Sequence, residues 1–264
     1  MRIVNGLQRM DDRMKTFIEK ELFQGSMSEM VDLVISNSME RKKVAYYAIN
    51  SDCMLNYWRD TDYREVIHQD HSFAYVDGMG VIYAQKMLKL PTAKERIATT
   101  DFFPALCDRL NDLESPLRIY LLGGSKGTAE KVRENYRKTY PNVQIVGTHH
   151  GYFDKENSKE VIKLINSLQV DILFVGFGNP LQEKWVHRHF SELEVSTIMT
   201  CGGLFDYYAN NVKRAPVFMQ KVGLEWLFRL LQEPKRLYKR YIFGNIQYIW
   251  KVMRLKFSKP SLSK

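Results

Sequence analysis

Asp77 is placed where an acid could do chemistry. It follows an apolar run, Phe73 to Val76, and precedes Gly78-Met79-Gly80 and a helix-like pattern of Val81, Ile82, Ala84, Met87 and Leu88. Strand, turn and helix in that order set a side chain at the carboxyl edge of an α/β sheet, where ligands bind. A carboxylate there is partly desolvated, which raises its pKa and suits it to take a proton. The competing reading is that Asp77 caps the next helix through backbone N–H groups. This stretch alone leaves both open.

Asn50 closes a second apolar run, residues 43–49, much as Asp77 closes its own, so the two strand ends could be neighbours. An Asx-turn explains such an Asn equally well. Arg96 sits among small residues in the loop 90–101; it would point inward to hold a phosphate, or outward into solvent. Gly123-Gly124-Ser125 and Gly176-Phe177-Gly178 are turns at strand ends, and residues 201–203 make a third. Their bare backbone can approach a phosphate or base closely, and helix N-termini favour negative charge. None matches the Walker pattern or the full dinucleotide fingerprint. Pro180 suits a first helical turn, which puts Gln182 and Glu183 at the mouth of the site, unless Glu183 only complements the helix dipole. The pairs His149-His150 and His187/His189 lack carboxylates at ligand spacing and read as non-metal.

The elements that must position these residues form a regular series. A short lead-in and a helix over 28–40 precede the strand at 43–50. Past a helix at 102–113, strands at 117–122, 143–148, 171–175 and 196–200 alternate with helices. Such alternation implies a doubly wound, mostly parallel α/β sheet of Rossmann-like type, with its turns on one edge.

With 264 residues, 45% of them hydrophobic, the chain can bury a substantial core. Three scattered cysteines form neither a metal spacing nor a disulfide framework, which fits a reducing cytoplasm. The opening residues lack the apolar core of a signal peptide, and no apolar run reaches membrane-spanning length. The net charge of +9 is concentrated: residues 213–259 carry twelve Lys and Arg against two Glu, whereas residues 1–212 carry 26 basic against 28 acidic side chains. The sequence therefore divides into an α/β core, 1–212, and a basic, aromatic-rich helical appendage, 213–264. Interleaved aromatic and basic residues suit an anionic membrane surface or a single-stranded nucleic-acid groove. A cap packed on the sheet with solvated lysines is the third option. The apolar residues of 224–231 must bury against something, a second copy included.

Together these segments resemble the WecG/TagA/CpsF family of glycosyltransferases. The matching pieces are Ile49-Asn50, Val76-Asp-Gly-Met-Gly80, Glu95-Arg-Ile97, Leu122-Gly-Gly-Ser125, Gly176-Phe-Gly-Asn-Pro-Leu-Gln-Glu-Lys-Trp185, Gly202-Gly-Leu-Phe-Asp206, Lys213-Arg-Ala-Pro216, Gly223-Leu-Glu-Trp-Leu-Phe-Arg229 and Glu233-Pro-Lys-Arg236. The resemblance implies an inverting transferase without a metal or other cofactor. It would move N-acetylmannosamine, its uronic acid or a related hexose from UDP to a polyprenyl-diphosphate-linked saccharide. Asp77 matches the proposed general base, and Asn50, Arg96 and Gln182 match residues of the sugar-nucleotide pocket, with Gly78, Gly123, Gly124 and Gly176 at its turns. Asp206 looks like a nucleotide contact. The basic tail, with Arg214, Lys221, Arg229, Arg236 and Arg240, is similar to an appendage that completes the site at the inner face of the cell membrane. Ala48 stands where the family often has Thr. The runner-up reading, from the charge alone, is a nucleic-acid-binding Rossmann-like module with a basic arm.

Overall fold

A strand covered on both faces needs apolar residues at every position, and β2 (Val44–Ile49) has them. Ala45, Tyr47 and Ile49 join one core, and Val44, Tyr46 and Ala48 the other. The computed structural model describes residues 10–113 and 117–257. Among these residues the other strands are β1 (Leu22–Phe23), β3 (Ser72–Val76), β4 (Arg118–Gly123), β5 (Gln144–His149), β6 (Ile172–Gly176) and β7 (Thr197–Thr200). They form one sheet in the order β1-β3-β2-β7-β6-β4-β5, parallel throughout. Helices cover both faces, as the alternation of strand and helix requires.

The chain leaves β2 toward β3 on one side and builds β4 and β5 on the other. A crevice therefore opens at the carboxyl ends around β2 and β7, the place where α/β sheets hold ligands.

Two elements differ from the sequence reading. The stretch before residue 28, read as a lead-in, holds a helical segment, 10–16, a π-helical turn, Phe17–Glu21, and β1, which pairs with β3 through Leu22 and Ala74. Two residues are too few to display strand alternation. The first nine residues of that lead-in lie outside the described residues.

The tail is also more broken than its apolar run implies. It divides into Val217–Lys221, Glu225–Gln232, Pro234–Tyr238, a π-helical turn Lys239–Phe243, and Gly244–Phe257. Gly223 has φ +76°, and a Cβ there would lie 2.9 Å from Met79 Cβ, so the tail crosses the sheet edge at a point only glycine fits. Pro234 opens the next helix at its first turn.

The helix Gly244–Phe257 buries Tyr248, Val252 and Leu255, and the Tyr248 hydroxyl donates to Gly80 O at 3.2 Å. Its outer side carries Ile246, Ile249, Trp250 and Phe257, each 59% exposed or more. No helix among the described residues is long and apolar enough to cross a membrane.

Candidate functional site

The carboxyl ends of β2, β3, β6 and β7 open into a cavity of about 710 Å³, walled on the far side by residues 223–245. A cavity of this size suits a nucleotide-sized ligand.

Asn50 ends β2 and caps the following helix: its Oδ1 accepts from Asp52 N at 3.1 Å and Cys53 N at 3.3 Å. Asp77 ends the neighbouring β3, so the two strand ends are adjacent. Gly78 follows because a Cβ there would lie 2.9 Å from Asn50 Cβ. Asp77 does not cap the helix that follows it, whose N-cap is Gly78 with no side-chain bond. Its Oδ1 instead accepts from Thr99 N at 2.9 Å and Thr99 Oγ1 at 3.3 Å, at the start of the helix Thr99–Asn111. Burial pushes the Asp77 carboxyl above its ordinary value; the Thr99 bond and Arg96 pull it back in part, and Glu225 adds to the rise.

Four carboxylates line the cavity, and three are in ion pairs. Glu225 lies 3.0 Å from Arg96 and 3.5 Å from Arg214. Asp206 lies 3.8 Å from Arg229, and Asp52 3.0 Å from Arg240. Asp77, the fourth, bonds to Thr99 and to no cation within ion-pair distance among the described residues.

The other half of the floor is backbone. A Cβ on Gly123, with φ +151°, would lie 2.5 Å from Gly176 O, and Gly124 N donates to that same oxygen at 3.3 Å. Gln182, at the start of the helix Leu181–His189, is 4% exposed, and its Oε1 accepts from Gly178 N and Gly202 N, each at 3.1 Å.

Asn50, Asp77, Gly78, Arg96, Gly124, Gly176, Gln182 and Asp206 are thus brought together, with Arg229, Arg236 and Arg240. Gly123, Arg214 and Lys221 lie outside the lining. Gly123 shapes the turn from beneath, and Arg214 forks onto Asp101 at 2.5 and 2.7 Å behind the wall. Lys221 is exposed. Ala48 lines the cavity, so the position carries a methyl group and no hydroxyl.

Sequence reasoning missed three contributors. Glu225 had one signal, being an acid in a strongly basic stretch. Thr99 gave none, because its partner is 22 residues away. The loop 151–155 also lines the cavity, with Lys155 Nζ 3.7 Å from the Phe153 ring centre and 4.3 Å from that of Phe177. Glu183, read either as a residue at the mouth of the site or as a partner of the helix dipole, is fully buried beneath the cavity, since its helix turns that face toward the sheet. Among the described residues no three His, Cys, Asp or Glu side chains group as ion ligands.

The glycosyl transferase WecG/TagA/CpsF family model matches residues 16–261. Similar proteins include the N-acetylglucosaminyldiphosphoundecaprenol N-acetyl-beta-D-mannosaminyltransferases of Staphylococcus aureus strains MW2, NCTC 8325 / PS 47 and COL. Each is 34% identical to this chain over 175 residues, 66% of this chain and 66% of the relative, a little under two thirds of its length.

Proposed function

We propose, from the premise that this chain belongs to the glycosyl transferase WecG/TagA/CpsF family, that it is an inverting glycosyltransferase. It moves N-acetylmannosamine or a closely related sugar from UDP to a polyprenyl-diphosphate-linked saccharide. The reading rests on one observation above the others: Asp77 is the cavity carboxylate left without an ion pair, at a strand end, with its basicity raised by burial. The Staphylococcus aureus relatives, named for an N-acetylmannosaminyl transfer to a diphosphoundecaprenol-linked sugar, support the choice of substrates.

In this mechanism Asp77 Oδ1 stays with Thr99, and Oδ2 takes the proton of the acceptor hydroxyl. The hydroxyl oxygen forms its bond to the sugar's anomeric carbon from the face opposite UDP, and the bond from that carbon to the diphosphate oxygen breaks. The electron pair leaves with UDP. Charge on the diphosphate is offset by the arginines of the cavity, Arg96, Arg229, Arg236 and Arg240, so no metal is required. Glycine backbone at the ends of β4 and β6 allows the nucleotide to lie close to the sheet.

The appendage gives the lipid-linked acceptor a place to arrive. Ile246, Ile249, Trp250 and Phe257 expose an apolar stripe beside Lys256, the make-up of a helix lying in a membrane interface, while Lys251 and Arg254 reach the Trp58 ring and Asp11. A helix apolar on both sides needs a second apolar partner besides the core it packs on. We assign that partner to the anionic inner face of the cell membrane, where the protein is peripheral.

The test is transfer from UDP-N-acetylmannosamine to N-acetylglucosaminyl-diphospho-undecaprenol in excess chelator, with the product anomer read by NMR. The expected result is undiminished transfer with inversion. Retention of configuration, or no transfer with UDP binding absent, contradicts the reading.

A further inference from the structure

Gln182 uses its whole carboxamide inside the protein. The oxygen accepts the N–H groups of Gly178 and Gly202, each at 3.1 Å, and Nε2 donates to Glu183 Oε1 at 2.8 Å. It thus staples the turn after β6 to the turn after β7. Each turn has backbone bonds of its own, Gln182 N to Gly178 O at 3.0 Å and Leu204 N to Cys201 O at 3.1 Å, and the carboxamide ties one turn to the other. Gly178 (φ +88°) and Gly202 (φ +52°) have nothing within 4 Å of where a Cβ would lie, in contrast to Gly123 and Gly176, which press on neighbouring backbone. The space beside them is the cavity, so their separation sets the shape of its floor.

A carboxamide can turn end for end, and only one orientation works here. Flipped, its NH₂ would face two N–H donors. Glu183 removes that freedom: fully buried, it offers Gln182 Nε2 an acceptor on the side away from the turns.

We infer that Glu183 is a positioning residue for the donor nucleotide, acting through the orientation of Gln182 to fix the two glycine turns on which the nucleotide rests. This rests on the sugar-nucleotide reading of the cavity.

Glu183 is suited to the task because its carboxyl offers Gln182 Nε2 an acceptor oxygen whether or not it is protonated. Burial pushes its carboxyl up to about 7, against the pull of the Gln182 bond. Its Oε2 is buried without a partner, and so are the Tyr47 and Tyr63 hydroxyls near it. The titratable groups facing it are Tyr47 from β2, Cys53 and Tyr63 from the two helices that follow β2, Cys201 after β7, and Arg240 from the appendage. A glutamine in its place would keep the acceptor that Gln182 needs.

The experiment is calorimetric titration of UDP into the full chain and its variants, with melting temperatures in parallel. Removing a buried bond that holds a binding group costs a factor of about ten in affinity. Glu183→Ala is expected to raise Kd about tenfold at unchanged stoichiometry, and Glu183→Gln to recover most of that loss. Gln182→Ala together with Glu183→Ala should bind no worse than Gln182→Ala alone, because both act through one staple. A Glu183→Ala chain that melts early yet binds UDP with the native Kd overturns the inference. Should Glu183→Ala not fold, Gln182→Ala decides: native affinity there leaves Glu183 nothing to act through. If the native chain itself binds no UDP, the sugar-nucleotide reading fails instead.

Discussion

The cavity has two rims built by different means. The rim from β2 and β3 sets Asn50 and Asp77 by backbone geometry: strand ends, adjacent in register, held by N–H groups at helix starts. The rim from residues 214–240 is set by charge. Arg214 reaches Asp101, Glu225 reaches Arg96, Arg229 reaches Asp206, and Arg240 reaches Asp52. A strand end keeps its place whether or not a ligand is bound. A rim held by ion pairs depends on its charges, and weakens with salt where it is exposed. In the proposed reaction the base, Asp77, sits on the fixed rim, and the arginines that would meet the donor diphosphate sit on the ion-paired one.

Removing the most deeply buried of these pairs breaks the comparison hardest. The Arg229 side chain is 7% exposed between Asp206 and Glu233. Arg229→Ala leaves Asp206 without its cation and Glu233 with Arg236 alone, and should cost about 3 kcal/mol of unfolding free energy by denaturant titration. A loss under about 1 kcal/mol would show the charged rim to be loose in solution.

Beneath the fixed rim, pH gives the next largest effect. The Glu183 carboxyl is raised from 4.5 to about 7, so the folded chain holds a proton there that the unfolded chain has released. Stability from this group therefore falls as pH rises from 4.5 to about 7 and is level outside that window. Glu183→Gln removes the dependence. Relative to it, the native chain should lose about 3 kcal/mol across the window, measured by chemical denaturation at several pH values.

On the charged rim's outer side, Ile249→Glu with Trp250→Glu should lower partition onto anionic vesicles at least tenfold while moving the melting temperature little, since both side chains are exposed. Unchanged partition would remove the membrane from the account and favour a second copy as the occupant of that face. Smallest is Thr99→Val, which deletes the Oγ1 bond to Asp77 and keeps the N–H bond. Turnover should fall by a few-fold, the worth of a long hydrogen bond of about 1 kcal/mol.

The same contrast explains what could be read in advance. Buried parallel strands announce themselves as apolar runs, so β2, β3, β4, β6 and β7 and the residues at their ends were legible: Asn50, Asp77, Gly176 and their turns. β1 was not, because a pair of residues has no period. The ion-paired rim was half visible. Its arginines stood out as excess charge, but pairing is a matter of tertiary distance. Nothing local ties Arg96 to Glu225, 129 residues on. Glu183 was read at the mouth of the site because a helix start does not reveal which face turns to the sheet.

Turnover and UDP affinity of the native chain and Asp77→Asn, measured on one preparation, bear most directly on the role given to the strand-end acid. Asp77→Asn is expected to lose transfer by about a thousandfold, within the range for a positioned base, and to keep its UDP Kd within about threefold. Transfer at the native rate by Asp77→Asn would contradict that role, and would leave Asp77 as the cap of the helix that begins at Thr99.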